Sequence, residues 1–221
     1  MSAESSWQRP YRGYLFDLDG TLVDTAPDIG VALNTALERK GYQPASDDHT
    51  RHWVGHGARV LLEQALEHQQ QPFDAVEEML EIFITHYAEH IADRSTLYPD
   101  VVASLAALRA RGAKLALVTN KLTSLSVALL EALELQKFFD VLVCGDNTHK
   151  PKPAGDPAIY AGKRLHLGMD EVLFVGDSQT DVACARAAGC SVVCVANGYN
   201  HGTGANALGA DGVIETLKDL V

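Results

Sequence analysis

Five apolar runs of strand length recur along this 221-residue chain, and polar or glycine residues follow each of them. They cover residues 13–16, 114–118, 141–144, 172–175 and 191–195. Stretches with helical periodicity lie between the later runs, at residues 122–135, 158–167 and 180–188. Because continuously apolar strands that alternate with helices must be covered on both faces, the pattern predicts an α/β fold with a doubly wound, Rossmann-like parallel sheet.

The region between Pro27 and Arg94 breaks this alternation, because its apolar residues follow helical spacing. The segment Thr25-Ala-Pro-Asp28 is typical of a helix start, with proline in the first turn and an acid nearby. We therefore interpret residues 27–94 as a mostly helical cap domain inserted after the first strand. Residues 1–26 and 95–221 then form the α/β core.

The charge of the chain restricts its partners. With 18 Lys and Arg against 29 Asp and Glu, the formal net charge is -11, which argues against broad binding to nucleic acid or to an anionic membrane. A phosphorylated substrate stays possible, since a small pocket with a metal ion can override the distant field. The start of the sequence lacks a signal-peptide pattern, so we expect a cytoplasmic protein, either a monomer or a homodimer.

Polar residues follow the predicted strands in an ordered series. They are Asp17, Asp19, Gly20 and Thr21 after the first strand, Thr119, Asn120 and Lys121 after the second, Lys150 and Lys152 after the third, and Gly176, Asp177, Ser178 and Asp181 after the fourth. Ligands of open α/β sheets bind beyond the carboxyl ends of the strands, so these groups should meet at one edge. Acids gathered there repel one another unless a cation joins them, and a lysine with small donors beside that cation describes a phosphate site.

Each of these motifs alone also fits an ordinary turn or helix cap. All four in this order are much harder to explain as structural features. The segments Phe16-Asp-Leu-Asp-Gly-Thr21, Val118-Thr-Asn120, the lysine–proline loop and Gly176-Asp-Ser-Gln-Thr-Asp181 resemble the four motifs of the haloacid dehalogenase superfamily. Within it, the segments at residues 53–58 and 198–202 are similar to stretches of phosphoglycolate phosphatases.

The resemblance implies roles for the acids. Asp17 is expected to be the nucleophile that forms a phosphoryl-enzyme intermediate. Asp19 is expected to protonate the leaving alkoxide and later to deprotonate water, a role that neighbouring negative charge would favour. Mg²⁺ would be held by Asp17, the backbone carbonyl of Asp19 and Asp177. Asp181 and Ser178 are expected to support the metal site and the lysine.

The resemblance also implies phosphate-binding groups. Thr119, Asn120 and Thr21 are expected to contact the phosphoryl oxygens, together with one lysine. Two lysines compete for that role, because Lys150-Pro-Lys-Pro153 matches the short family pattern KPxP at Lys150. Lys152 is also six residues after Asp146 and five before Pro157, which is the family spacing, so we predict Lys152.

The cap is expected to set substrate specificity. Gly55 and Gly57 would allow close backbone approach to a substrate, and Arg59 could reach a substrate carboxylate or lie in solvent on a helix.

These residues together predict Mg²⁺-dependent hydrolysis of a small-metabolite phosphate monoester, similar to phosphoglycolate. A phosphosugar mutase of the same superfamily would keep the same motifs and the Asp19 acid, and pyrophosphatase or nucleotidase activity also stays open. A dehalogenase has no leaving alkoxide to protonate, so Asp19 argues against one. A non-enzymatic binding module would be expected to have lost a motif acid, and all of them are retained.

Overall fold

The structure is a computed structural model that describes residues 7–221. Among these residues the strands are β1 (Gly13–Phe16), β2 (Val23–Asp24), β3 (Thr96–Leu97), β4 (Lys114–Val118), β5 (Val141–Val143), β6 (Val172–Gly176), β7 (Ser191–Val195) and β8 (Gly212–Ile214). Six of them form one sheet in the order β5-β4-β1-β6-β7-β8, in which every neighbouring pair is parallel. β1 lies between β4 and β6, so the carboxyl ends of three motif-bearing strands are side by side.

Four helices cover the two faces of this sheet, and four others form a separate group beside it. They are α1 (Ala26–Arg39), α2 (Asp47–Trp53), α3 (Ala58–His68), α4 (Val76–Glu89), α5 (Val101–Ala110), α6 (Thr123–Ala132), α7 (Asp156–Leu165) and α8 (Gln179–Ala188). Short 3-10 turns follow several of the later elements. In the described part of the chain, no helix has both the length and the apolar character needed to cross a membrane.

Burial on both faces explains why the central strands are continuously apolar. Every residue of β1 and β6 is buried. Successive residues of a strand point to opposite faces, so Phe16 joins one apolar cluster with α5 and α6, whereas Leu15 joins the other with α7 and α8. The predicted doubly wound parallel sheet is confirmed.

The four helices α1–α4 pack together in the region whose periodicity predicted helices, and we call this group the cap. They share a third apolar cluster, which includes Leu33, Leu62 and Met79. Leu125 of α6 and Tyr199 of the core also belong to this cluster, so the cap packs directly on the core. The cap helices span residues 26–89, close to the interval 27–94 that the sequence suggested.

Three of the short strands did not show in the sequence pattern. β2 and β3 form an antiparallel ribbon in which Val23 pairs with Leu97 and Asp24 with Thr96, and this ribbon joins the two connections between core and cap. β8 adds a three-residue strand at the edge of the main sheet. β2 and β3 have two residues each, and β8 has only two apolar residues after Gly212, so none of them displays an alternation or an apolar block in the sequence.

The buried carboxylate of Asp28 on α1 fastens the returning connection to the start of the cap. It accepts hydrogen bonds from the backbone N–H of Arg94 at 3.0 Å, the backbone N–H of Ser95 at 2.7 Å and the hydroxyl of Ser95 at 2.6 Å. A buried carboxylate is tolerated where such donors replace its water. Asp28 therefore fixes where the chain leaves the cap.

Replacing Asp28 by alanine would leave the buried Ser95 donors without an acceptor. We expect the free energy of unfolding to fall by about 1.5–3 kcal/mol, the range for hydrogen bonds to a charged group. Urea denaturation measures this change. The exposed Asp74 provides the control, and Asp74→Ala should stay within about 0.5 kcal/mol of the parent. Equal losses in both variants would contradict the assigned role of Asp28.

Candidate active site

The carboxyl ends of β1, β4 and β6 bring together the polar residues that the sequence singled out. Asp17 and Asp19 follow β1, Thr119 and Asn120 follow β4, and Asp177 follows β6. None of these five residues is more than 9% exposed. The sheet order therefore produces a buried polar cluster at one edge, as the strand-end pattern predicted.

Lys152 reaches this cluster from the loop between β5 and α7. Its Nζ lies 2.8 Å from Oδ1 of Asp17 and 2.7 Å from Oδ1 of Asp181, and its side chain is 1% exposed. Lys150, two residues earlier in the same loop, is exposed. Only Lys152 lies beside Asp17, so the geometry favours Lys152 over Lys150 as the lysine that contacts a bound phosphoryl group.

Asp181 is held by protein donors on both of its oxygens. While Oδ1 contacts Lys152, Oδ2 accepts hydrogen bonds from the hydroxyl of Ser178 at 2.7 Å and from the N–H groups of Ser178 at 3.1 Å and Asp177 at 3.2 Å. These contacts belong to the capping box that begins α8. Asp181 and Ser178 thus orient Lys152 and the turn that carries Asp177.

Asp177 is fixed by donors from two other segments. Its Oδ1 accepts a hydrogen bond from the hydroxyl of Thr21 at 2.9 Å, and its Oδ2 accepts one from the N–H of Tyr199 at 2.8 Å. A Cβ atom on Gly20 would lie 2.3 Å from Oδ2, and one on Gly198 would lie 2.1 Å from Cβ of Asp177. Both glycines are therefore needed for the close approach. Thr21, which the resemblance assigned to phosphate, instead directs its hydroxyl to Asp177.

Asp19 has a partner that the sequence analysis left without a role. Nζ of Lys121 lies 2.9 Å from Oδ1 and 3.1 Å from Oδ2 of Asp19, and the hydroxyl of Thr25 donates to Oδ1 at 2.7 Å. The side chain of Lys121 is 4% exposed. We expected neighbouring negative charge around Asp19, whereas the structure places an ammonium group there. The sequence feature that could have identified Lys121 as a site residue is its position at a strand end, directly after Thr119 and Asn120.

Burial dominates the electrostatics of the cluster. It raises the pKa of Asp17 to about 7, with Lys152 opposing and Asp181 adding to the effect. Burial, together with the charges of Asp181 and Asp17, also raises the pKa of Asp177 well above its usual range. Burial disfavours the ammonium of Lys152, yet the charges of Asp17 and Asp181 outweigh it and raise the pKa of Lys152. Lys152 thus stays charged, while Asp17 and Asp177 resist ionisation.

The charge balance of this cluster fits a divalent cation. Carboxylate oxygens of Asp17, Asp177 and Asp181 lie within 4.8 Å of one another. With Asp19, four acids face the two ammonium groups of Lys121 and Lys152, so full ionisation leaves two negative charges. Buried charge without a partner is costly, and an all-oxygen donor set suits a hard cation such as Mg²⁺ or Ca²⁺.

Asn120 connects the core, the lysine loop and the cap. Its amide N–H groups donate to the carbonyl of Gly55 at 3.0 Å and to the carbonyl of Lys152 at 2.9 Å, while its Oδ1 accepts from the N–H of Lys152 at 2.9 Å. Both amide hydrogens are thereby used, so the structure gives Asn120 a positioning role in place of the expected phosphate contact. The hydroxyl oxygen of Thr119 accepts from the N–H of Lys121 at 3.3 Å, which leaves its O–H able to donate to a ligand.

The two cap glycines and Arg59 lie in different surroundings. Gly55 and Gly57 line a cavity between the core acids and the cap. Arg59 is 47% exposed and pairs with Glu77 at 2.7 Å, and it does not line this cavity. The structure therefore places Arg59 in solvent, the second of the two expectations for it.

The cavity itself is small and mostly apolar. Its volume of about 40 Å³ corresponds to room for roughly three water molecules. Polar groups come from the site described above, and the apolar part of the wall consists of Ile29, Val54, Ala58, Leu61, Phe83, Leu122 and Leu125, together with the ring of Tyr87.

Most of the chain matches a known protein family. Residues 14–195 match the model of the haloacid dehalogenase-like hydrolases. The chain belongs to this family. A protein of Escherichia coli (strain K12) named phosphoglycolate phosphatase is 37% identical to this hydrolase over 229 residues, which cover 95% of this chain and 91% of the relative.

Two further proteins, one compared by sequence and one by structure, are similar to this hydrolase over nearly its whole length. A phosphoglycolate phosphatase of Colwellia psychrerythraea is 36% identical to the hydrolase over 212 residues, with 94% of each chain covered. The crystal structure of a predicted phosphoglycolate phosphatase from Haemophilus somnus 129pt superposes with a TM-score of 0.91 at 32% identity, covering 96% of this chain and 97% of that one. The similarity therefore includes the cap as well as the core.

If the acid cluster binds a cation, that cation should stabilise the folded hydrolase. At a Mg²⁺ concentration of about 100 times Kd the expected gain is ~2.7 kcal/mol. For a chain of this size such a gain corresponds to a Tm increase of roughly 5–10 °C. Differential scanning calorimetry with and without Mg²⁺ measures it.

Asp177→Asn should remove most of that Mg²⁺-dependent increase in Tm, whereas the exposed Asp74→Asn should keep it in full. The quantity compared is the shift on adding Mg²⁺, so a change in the Tm of the metal-free variant does not interfere. An undiminished shift in Asp177→Asn would place the cation elsewhere.

Proposed function

We propose that this hydrolase removes the phosphoryl group from a small-metabolite phosphate monoester of the phosphoglycolate type, with Mg²⁺ as its cofactor and Asp17 as its nucleophile. The observation that carries the proposal is the buried carboxylate of Asp17 beside the ammonium of Lys152, on the wall of a cavity that Asp19 also lines. The names of the relatives at 36% and 37% identity support this class of substrate.

In the first step a carboxylate oxygen of Asp17 attacks phosphorus, and the bond from phosphorus to the ester oxygen breaks. Protonated Asp19 donates its proton to the departing ester oxygen, which leaves as an alcohol, and the ammonium of Lys121, 2.9 Å away, stabilises the carboxylate that Asp19 becomes. Lys152 and the hydroxyl of Thr119 contact the phosphoryl oxygens and offset their charge. The product of this step is an acyl phosphate on Asp17.

In the second step a water molecule attacks the phosphorus of this acyl phosphate. Asp19 accepts the proton of that water, the bond from phosphorus to Asp17 breaks, and inorganic phosphate is released. Asp17 and Asp177 would hold Mg²⁺, which supplies neutralisation of phosphoryl charge when it is bound. Asp181 and Ser178 keep Lys152 and Asp177 in place through the contacts described above.

The cavity lies between the core acids and the cap, so a leaving group bound there contacts both. Its volume of about 40 Å³ belongs to the closed arrangement and sets no upper limit on the leaving group, so the mutase and nucleotidase alternatives are decided by assay. Entry of any substrate requires the cap to move, because the acids are buried beneath it.

A screen for phosphate release tests this proposal. Phosphoglycolate, hexose phosphates, nucleotides and pyrophosphate are compared in the presence of Mg²⁺, and the short monoester is expected to have the highest kcat/KM. EDTA should abolish turnover. Asp17→Asn should reduce kcat by more than about 10³-fold, as expected for the loss of a nucleophile. Full activity of Asp17→Asn, or isomerisation of a hexose phosphate without phosphate release, would contradict the proposal.

The two lysines of the loop provide a matched pair of variants. Lys152→Ala should reduce kcat by about 10²–10³-fold, since it removes a buried charge beside the reacting phosphoryl group. Lys150→Ala should stay close to the parent rate, because that side chain is exposed. The reverse pattern would assign the phosphate contact to Lys150.

A further inference from the structure

Tyr87 of α4 has a buried hydroxyl group that the chemistry proposed above does not use. The residue is 1% exposed, and its hydroxyl has no hydrogen bond of good geometry with any of residues 7–221, with the ammonium of Lys121 as its polar neighbour. A buried polar group without a partner destabilises a protein by about 1–3 kcal/mol, so such a position calls for a ligand that satisfies it. Burial raises the pKa of Tyr87 to about 12, which keeps the hydroxyl a donor at neutral pH.

The position of Tyr87 connects this hydroxyl to the active site. Tyr87 lines the same cavity as Asp17 and Asp19. Nζ of Lys121, the partner of Asp19, lies 4.6 Å from the centroid of the Tyr87 ring. The cap therefore places a free donor next to the only lysine that lines this cavity.

The first turn of α3 supplies further donors to the same cavity. Its N-cap is Gly57, which offers no side-chain acceptor, and its first turn contains no acidic residue. The first backbone bond of the helix runs from the N–H of Leu61 to the carbonyl of Gly57 at 3.1 Å. The preceding N–H groups, beginning with that of Ala58, thus have no acceptor within the helix, and Ala58 itself lines the cavity.

These donors converge in an otherwise apolar wall, which is how a pocket fixes the orientation of a small ligand. A hydroxyl and the positive end of a helix favour an anion, and the ammonium of Lys121, which also pairs with Asp19, adds a third donor. The phosphoryl group already has its own partners at Asp17 and Lys152, so a second anionic group must come from the other end of the substrate.

We propose that the hydroxyl of Tyr87, the ammonium of Lys121 and the N-terminus of α3 together bind a carboxylate on the leaving group. Tyr87 is then a specificity-determining residue that selects phosphoglycolate-type substrates by their carboxylate. This inference rests on the proposed phosphatase activity and assigns the residues that recognise the part of the substrate away from phosphorus.

The test compares phosphoglycolate with ethyl phosphate, which has a methyl group in place of the carboxylate. The parent hydrolase should prefer phosphoglycolate. Tyr87→Phe keeps the ring and removes the hydroxyl, and it should reduce kcat/KM for phosphoglycolate by about 10- to 100-fold, the range for a hydrogen bond to a charged group. For ethyl phosphate the loss should be much smaller, so the ratio of the two kcat/KM values should fall. Tyr160→Phe, on the exposed surface, is the matched control and should alter neither.

A second variant covers the case in which Tyr87→Phe folds poorly. Ala58→Asp places a carboxylate in the first turn of α3, where it stabilises the helix and competes with the carboxylate of the substrate. It should lower kcat/KM for phosphoglycolate much more than for ethyl phosphate.

Each result decides between the two proposals. Equal losses for both substrates in Tyr87→Phe and Ala58→Asp, or a parent enzyme that hydrolyses both esters equally well, would overturn the carboxylate site and leave the phosphatase intact. A parent enzyme that hydrolyses neither ester, nor any other phosphate monoester, would overturn both.

Discussion

Four carboxylates and two ammonium groups share a buried volume at the carboxyl edge of the sheet, and the surrounding structure is arranged to tolerate them. Asp17 and Lys152 are 5% and 3% exposed, so water contributes little to their stabilisation. Protein donors replace it, as the three hydrogen bonds to Oδ2 of Asp181 show. On full ionisation these groups leave an excess of two negative charges, which a bound divalent cation would neutralise.

Parallel topology makes this concentration of charge possible. β1, β4 and β6 lie side by side, and each ends at the same edge with its apolar residues packed against helices on both faces. A rigid apolar body therefore holds the polar ends in register. Gly20 and Gly198 approach Asp177 so closely that a Cβ atom at either position would clash with it, so the loops that carry these glycines have little room to shift.

The sequence predicted the parts of this arrangement that depend on local pattern. The apolar runs located five of the six strands of the main sheet, and the fixed spacing of Lys152 from Asp146 and Pro157 selected the lysine that the structure places beside Asp17. The contacts made across long separations were not predictable. Lys121 meets Asp19 across 102 residues and Tyr199 meets Thr25 across 174. Local sequence patterns carry no information on such long-range pairs, because these depend on how the loops and the cap pack.

Tyr199 shows how the cap and the chemistry are mechanically connected. Its hydroxyl accepts hydrogen bonds from the N–H groups of Thr25 and Ala26 at 2.7 and 2.8 Å and donates to Asp24 at 2.9 Å, while its own N–H donates to Asp177. One residue thus joins the first connection to the cap with an acid of the active site.

Arg51 of α2 extends this connection into the cap through two 2.9 Å contacts with Asp24. Asn120 makes a parallel link, because its amide bonds both the cap loop at Gly55 and the backbone of Lys152. A cap movement that admits substrate would break the contact at Gly55, and the amide that orients Lys152 would lose one of its partners. Closure would restore that contact and bury the acids together, which would couple exclusion of water to the alignment of Lys152.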